Sequence, residues 1–147
     1  MNLNSNKTTI LTMEKEIRIS NQLSEIAGLA IFIEELGEEL SLSVETTMNI
    51  NLALEEAIAN IIMYAYPPQE QHDIILKVTI TENQLIFLLT DNGLSFDPTQ
   101  VEEVDLSLSI EERPIGGLGI FLIRSIMNEV SYQRLDGENH LIMKKDI

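Results

Sequence analysis

Residues 51–68, NLALEEAIANIIMYAYPP, combine an apolar helical pattern with two polar side chains in its middle. Apolar residues recur at helical spacing until two consecutive prolines, which end the pattern because proline cannot continue a helix. At about 100° per residue, Glu56 lies about 40° from Asn60 around the helix, whereas Glu55 lies about 140° from it. The pattern therefore predicts a helix that turns Glu56 and Asn60 to one face and Glu55 to another.

A carboxylate and a carboxamide one helical turn apart have two interpretations. In the first, they form the polar edge of an amphipathic helix. In the second, they face a ligand. A carboxylate buried without any partner is excluded in both, because it is strongly unfavourable. In the second case, the amide oxygen of Asn60 suits a hard cation such as Mg²⁺, which takes its other ligands from water and phosphate. The carboxylate of Glu56 can then accept a proton from an attacking hydroxyl or water.

Composition restricts the class of protein. The chain has 147 residues, 44% of them hydrophobic and 22% charged, which is typical of one soluble globular domain. The absence of cysteine excludes a disulfide framework and a thiolate metal site, and two histidines are too few for a histidine-rich metal site. A net charge of −15 argues against direct nucleic-acid binding and against an anionic membrane surface.

The sequence contains no signal-peptide pattern at its N-terminus and no apolar run of membrane-spanning length. We therefore predict a cytoplasmic protein without membrane contact. Residues 1–13 are expected to be a flexible N-terminus, and residues 14–147 a single domain.

Hydrophobic periodicity predicts five strands and three helices in one layered domain. The predicted strands are 14–20, 73–81, 84–90, 130–135 and 140–145, and the predicted helices are 23–40, 44–66 and 120–128. Short turns between successive strands favour antiparallel pairing. We expect an α/β two-layer sandwich with a mixed, mainly antiparallel sheet covered on one face by three helices. A long loop, 94–115, fits none of these elements and is typical of a functional lid.

An Asp-Asn-Gly sequence, 91–93, directly follows the apolar strand QLIFLLT. Asn-Gly is a strong signal for a hairpin turn, but the long loop follows instead of a second strand. The alternative is a ligand pocket, where the Asp91 carboxylate accepts a hydrogen bond from an exocyclic amine such as that of adenine. Gly93 would permit close approach of the chain in such a pocket.

The glycine-rich stretch PIGGLGI, 114–120, precedes the last predicted helix. Its backbone N–H groups at a helix N-terminus are suited to bind an anion. It is not a phosphate loop of the GxxxxGK[ST] type, because no lysine follows, and it is not GxGxxG. A flexible hinge at the end of the lid is the alternative interpretation.

In combination, a Glu-x-x-x-Asn helix, a strand that ends in Asp-x-Gly and a glycine-rich helix start, in this order, resemble a known family. They are similar to the ATP-binding (Bergerat) fold of the gyrase, histidine-kinase and MutL superfamily. The similarity is closest to the stand-alone anti-sigma-factor serine kinases and covers residues 14–147. It is strongest in DNGLSFDP, 91–98, and EERPIGGLGIFLIRSIMNEVSY, 111–132.

This resemblance implies a role for each motif residue. Glu56 would be the general base of a kinase, and Asn60 would bind both the nucleotide and Mg²⁺. Asp91, beside Gly93, would bind the adenine amine of ATP. The residues implied at the phosphates are Gly117, Leu118 and Gly119, with Arg113 reaching them when the lid closes.

The resemblance also implies a pathway. The protein would be an ATP-dependent serine kinase and anti-sigma factor that phosphorylates an STAS-type antagonist and sequesters a sigma factor, and it would form a homodimer. One alternative is a nucleotide-dependent regulatory binding protein of the same fold without kinase activity. The other is a detached histidine-kinase catalytic domain, which would act only in trans because His72 and His140 lie near strand starts.

Overall fold

The structure, a computed structural model, describes residues 12–67, 69–100 and 117–147. Its regular elements follow the predicted order, β-α-α-β-β-α-β-β. They are β1 (Met13–Ser20), α1 (Ile26–Glu39), α2 (Val44–Tyr64), β2 (Asp73–Ile80), β3 (Gln84–Asp91), α3 (Gly117–Ile126), β4 (Glu129–Leu135) and β5 (Glu138–Asp146). The predicted α/β sandwich is confirmed.

The strands form one sheet in the order β1-β2-β3-β5-β4. All four pairings are antiparallel, so the sheet is antiparallel where a mixed, mainly antiparallel sheet was expected. Strand β3 lies in the centre, as its apolar sequence predicts. Its last residue, Asp91, is directly opposite Asn139 of β5.

One face of the sheet carries the hydrophobic core. Buried and half-buried residues alternate along β2, β3 and β5, as expected when helices cover only one face. Phe87 from β3, Ile58 from α2 and Ile123 from α3 are fully buried in this core. The sheet thus holds α2 and α3 above the ends of β3 and β5.

The helix boundaries differ slightly from the predicted ones, for local reasons. Helix α2 begins after Ser43, whose hydroxyl caps the Thr46 N–H at 3.1 Å. It ends at Tyr64 rather than Tyr66, because the residue before a proline is disfavoured in the helical conformation. Helix α3 begins at Gly117, so Gly117 and Gly119 lie in its first turn.

The β4–β5 hairpin turns at Asp136 and Gly137, with φ values of 53° and 79°. Two consecutive positive φ angles and an Asp-Gly sequence are typical of the two-residue hairpin turn. The hairpin brings the end of β4 and the start of β5 beside the end of β3.

Two predictions fall wholly or partly on residues outside the described ones. Most of the predicted flexible terminus, 1–13, and most of the predicted lid, including Arg113, lie there; Met13 itself already belongs to β1. Within the described residues, no helix has the length and apolarity needed to cross a membrane.

Candidate functional site

Glu56 and Asn60 lie together where α2 meets the first turn of α3. A Cβ atom placed on Gly119 would lie 3.2 Å from the Glu56 Oε2 atom and 3.2 Å from the Asn60 Nδ2 atom. Gly119 itself is buried, and the two polar side chains are half-buried. Glu56 and Asn60 therefore share one face of α2, as predicted. Because Gly119 has no side chain, the space next to these two side chains is not filled.

The first turn of α3 lies next to this contact, because Gly119 belongs to that turn. The first four N–H groups of a helix have no partner within it, and the helix dipole places partial positive charge there. The backbone of Gly117 and Leu118 lies in this turn, which begins at Gly117. The N-terminal turn of α3 therefore lies next to an amide and a carboxylate.

Asp91 occupies the end of β3 and is 3% exposed. Its Oδ1 atom accepts a hydrogen bond from the Gly93 N–H and another from the Asn139 Nδ2 group, both at 2.9 Å. Burial raises the pKa of the Asp91 carboxyl; these two hydrogen bonds, together with Arg134 and His140, oppose that rise. Asp91 is thus a buried, hydrogen-bonded carboxyl beside the site, as its position before Asn-Gly indicates.

Asn139 was missed in the sequence analysis. It lies on β5 and donates to Asp91 and to the Leu94 carbonyl at 2.8 Å, while its own oxygen accepts from Tyr132 and Arg134. The alternation of inward and outward positions along β5 could have indicated it, because this alternation places the polar Asn139 on the otherwise apolar, inward face of the strand.

The Asp-Asn-Gly segment is fixed against the end of α2. A Cβ on Gly93 would lie 2.4 Å from the Ala65 carbonyl oxygen, so only glycine fits here. The Leu94 N–H donates to that carbonyl at 2.8 Å. The Tyr66 hydroxyl donates to Asn92 and accepts from its N–H, and burial together with Asp91 raises the pKa of Tyr66 to about 12.

A concavity connects Asn60 with Asp91. The cavity volume is about 20 Å³, room for about one water molecule, and its walls are mostly apolar. The lining residues are Ala57, Asn60, Ile61, Ala65, Asp91, Phe96, Pro98, Ile123, Tyr132, Asn139 and Leu141. A mostly apolar cleft with a few convergent polar groups is typical of a small-molecule site.

The structure therefore brings together most of the residues singled out from the sequence. Glu56, Asn60 and Gly119 meet at one end, and Asp91 with Gly93 forms the other. Arg113 lies outside the described residues. Within the described residues, no group of three or more His, Cys, Asp or Glu side chains is positioned to hold a metal.

Comparison with known families identifies the fold. The sequence model of the family described as "Histidine kinase-like ATPase domain" matches residues 19–145, which is most of the chain. The chain belongs to this family. The resemblance noted from the Glu-x-x-x-Asn, Asp-x-Gly and glycine-rich motifs is confirmed.

Two relatives with established names are protein kinases. The serine/threonine-protein kinase BtrW of Bordetella bronchiseptica is 35% identical over 101 residues, covering 69% of this chain and 71% of the relative. The serine-protein kinase RsbW of Bacillus cereus is 26% identical over 133 residues, covering 88% of this chain and 82% of the relative. The predicted relationship to protein-serine kinases is confirmed.

A solved structure supports the same fold. The crystal structure of the RsbU and RsbW domains of a Mycobacterium tuberculosis protein superposes with a TM-score of 0.65 over 90% of this chain. The sequence identity is 10%, so the likeness concerns the fold alone, and this chain spans 32% of that protein.

Proposed function

We propose that the protein is an ATP-dependent serine protein kinase that acts as an anti-sigma factor. The observation that carries the proposal is the position of Gly119 against both Glu56 and Asn60, at one end of a cleft whose other end is Asp91. A buried acceptor for a base and a helix N-terminus for phosphates, joined by a mostly apolar cleft, suit a nucleoside triphosphate.

The residues fit ATP and Mg²⁺. The Asp91 carboxylate accepts the exocyclic amine of adenine, and the backbone at Gly117, Leu118 and Gly119 receives the phosphates. The Asn60 amide oxygen provides one protein ligand for Mg²⁺, which commonly takes its remaining ligands from water and phosphates. A Cβ at Gly119 would fill the space between the polar side chains and the helix end, which is why glycine suits this position.

Glu56 is the proposed general base. It lies one turn from Asn60 on the same face of α2, next to the proposed phosphate position. Its carboxylate accepts the proton of a substrate serine hydroxyl as the hydroxyl oxygen attacks the terminal phosphorus, the bond from that phosphorus to the bridging oxygen breaks, and ADP leaves. Bound Mg²⁺ neutralises developing charge on the phosphate oxygens.

The proposed protein substrate is an STAS-type antagonist, and the proposed second partner is a sigma factor. Both partners rest on the family resemblance, and the relatives named RsbW and BtrW support the kinase activity. In this proposal the kinase sequesters the sigma factor until the unphosphorylated antagonist displaces it. Arg113 would contact the phosphates from the predicted lid.

A kinase assay with a matched pair of variants tests the proposal. The protein is incubated with ATP, MgCl₂ and an STAS-type protein encoded by a neighbouring gene, and phosphoserine is measured by mass spectrometry. Glu56→Gln should lower the phosphorylation rate by about 10²–10⁴-fold, because it removes a general base, while ATP affinity stays within about threefold. Glu55→Gln, the same change on another face of α2, should have little effect on either.

The outcomes separate the two candidate functions. Phosphoserine that forms at an equal rate with Glu56→Gln would contradict the role of Glu56 as the base. If ATP binds normally but phosphoserine never forms, the protein is a nucleotide-dependent binding protein rather than a kinase. Sigma-factor retention on the immobilised protein, measured with and without the antagonist, then tests the anti-sigma role.

A further inference from the structure

We propose that Asn139 is a positioning residue that holds Asp91 as a hydrogen-bond acceptor and so makes the pocket select purines with an amine, rather than a carbonyl, at C6. The inference rests on the proposed adenine site at Asp91 and deepens it. It adds a residue to the site and assigns the basis of nucleotide specificity.

Asp91 and Asn139 are an isolated polar pair in an apolar layer. They are 3% and 5% exposed, and they are the two buried polar or charged residues in the part of the chain that the structure describes. A buried polar group without a partner costs about 1–3 kcal/mol. Each residue supplies the partner that the other needs, across directly paired positions of β3 and β5.

The orientation of the Asn139 amide is fixed by its surroundings. Arg134 can only donate hydrogen bonds, and its guanidinium lies 3.1 Å from the Asn139 Oδ1 atom. The atom that faces Arg134 must therefore be the amide oxygen. The NH₂ group consequently faces Asp91 and the Leu94 carbonyl, at 2.9 and 2.8 Å.

This orientation determines what Asp91 can do. Its Oδ1 atom already accepts from two N–H donors, Gly93 and Asn139, so the carboxyl is held as an acceptor. The second carboxylate oxygen is then available to accept from a ligand amine. A purine with a carbonyl in place of this amine would place its carbonyl oxygen against the Asp91 oxygen. Both oxygens are hydrogen-bond acceptors, so neither would have a donor.

Electrostatics favour the same arrangement. Burial raises the pKa of Asp91, whereas the Asn139 hydrogen bond is the largest influence that lowers it. Arg134 on β4 and His140 on β5 also lower this pKa, and the Asp91 charge in turn raises the pKa of Tyr66, which follows α2. Removing the Asn139 donor should therefore raise the pKa of Asp91 further.

The sign of the pH effect follows directly. Accepting the amine requires the carboxylate, so ATP binding should weaken as the pH falls through the pKa of Asp91. If a substitution raises that pKa, the weakening begins at a higher pH. A residue that merely fills space would change affinity equally across the pH range and for all purines.

Asn139→Asp is the decisive variant, because aspartate has the same shape but offers no amide donor. Two adjacent buried carboxyls cannot both ionise, and Arg134, which contacts the oxygen at position 139, favours ionisation of the new aspartate, so Asp91 is the carboxyl that holds the proton. Calorimetric titration of the full chain with non-hydrolysable ATP and GTP analogues in MgCl₂, from pH 5 to 8, measures the consequence. We expect ATP-analogue affinity at pH 7.5 to fall at least tenfold and the ATP-over-GTP preference to fall at least tenfold. The pH below which binding weakens should be higher for Asn139→Asp than for the unmodified protein.

Two further variants keep the test decisive. Asn83→Asp makes the same substitution at an exposed position just before β3, at the opposite end of that strand from Asp91, and should leave affinity, preference and pH profile unchanged. Tyr132→Phe removes one hydroxyl that orients the Asn139 oxygen and keeps the ring. It should shift the same two properties by about threefold, even if Asn139→Asp fails to fold.

The outcomes distinguish this inference from the proposed function. In the first case, the unmodified protein binds ATP, and Asn139→Asp or Tyr132→Phe, shown to be folded by circular dichroism, keeps its pH dependence of binding and its ATP-over-GTP preference. The role of Asn139 is then wrong and the ATP site stands. If the unmodified protein binds no ATP analogue at any pH, both proposals are wrong.

Discussion

The two ends of the proposed nucleotide site are built differently. The base end, Asp91, Gly93 and Asn139, is buried and held by hydrogen bonds to the chain around it. The phosphate end, Glu56, Asn60 and Gly119, combines two half-buried side chains with a helix terminus. Among the described residues, neither of these two side chains makes a hydrogen bond.

This difference separates the contributions of the two ends. The base end is fixed before any ligand arrives, so it contributes to both stability and nucleotide selection. The phosphate end offers groups that a metal and phosphates would complete, so it contributes to binding and chemistry more than to stability. Substitutions at the base end should therefore lower the free energy of unfolding, and substitutions at the phosphate end should not.

The largest expected effect is that of Gly93→Ala on stability. The new Cβ would lie 2.4 Å from the Ala65 carbonyl oxygen, a backbone atom that cannot move without breaking its bond to the Leu94 N–H. Overpacking of this kind costs about 3 kcal/mol of unfolding free energy, which urea denaturation would measure. Gly28→Ala, where the new methyl meets nothing within 4 Å, is the matched control and should leave stability equal or higher. Equal losses in the two variants would contradict a rigid base end.

The next effect is that of Asn60→Ala on nucleotide binding. Loss of the proposed Mg²⁺ ligand should weaken Mg²⁺-dependent binding of an ATP analogue by about 100-fold, at the upper end for a metal-site substitution. Unfolding free energy should change by less than about 1 kcal/mol, since the side chain is only half-buried. Glu55→Ala, on another face of α2, should bind the analogue normally. Similar calorimetric constants for both variants would contradict the assignment of this face.

The smallest effect is that of Gly119→Ala. Its methyl group would approach the flexible ends of Glu56 and Asn60 at 3.2 Å, and these side chains can move by a few tenths of an ångström. Helix propensity favours alanine by about 1 kcal/mol, so thermal stability should hold or rise. Affinity for the ATP analogue should fall by about tenfold, because the displaced groups no longer face the ligand. Unchanged affinity would show that the phosphates lie elsewhere.

Much of the fold was readable along the chain because its signals are local. The helix containing Glu56 and Asn60 follows from periodicity and two prolines, and the β4–β5 turn follows from Asp-Gly. The predicted start of α3 at residue 120 lies three residues after its observed start at Gly117, because glycine is unfavourable inside a helix but tolerated in its first turn. The N–H groups of that turn need no partner within the helix.

Long-range register decided the rest. Asn139 reaches Asp91 only because β5 pairs with β3 at one particular register, across 48 residues of sequence. A shift of one residue would turn Asn139 to the opposite face of the sheet. No local pattern in β5 specifies which residue it will face.

The sequence by itself determined the order of strands and helices, the shared face of Glu56 and Asn60, and the Asp-Gly turn between β4 and β5. Periodicity and backbone preferences act within a few residues, so a single sequence shows them. The tertiary structure alone decided that Gly119 lies against that face, that Gly93 packs on Ala65, and that Asn139 holds Asp91. These contacts depend on how the sheet and helices pack. The free energy gained by burying apolar surface depends on the whole arrangement and not on any single segment.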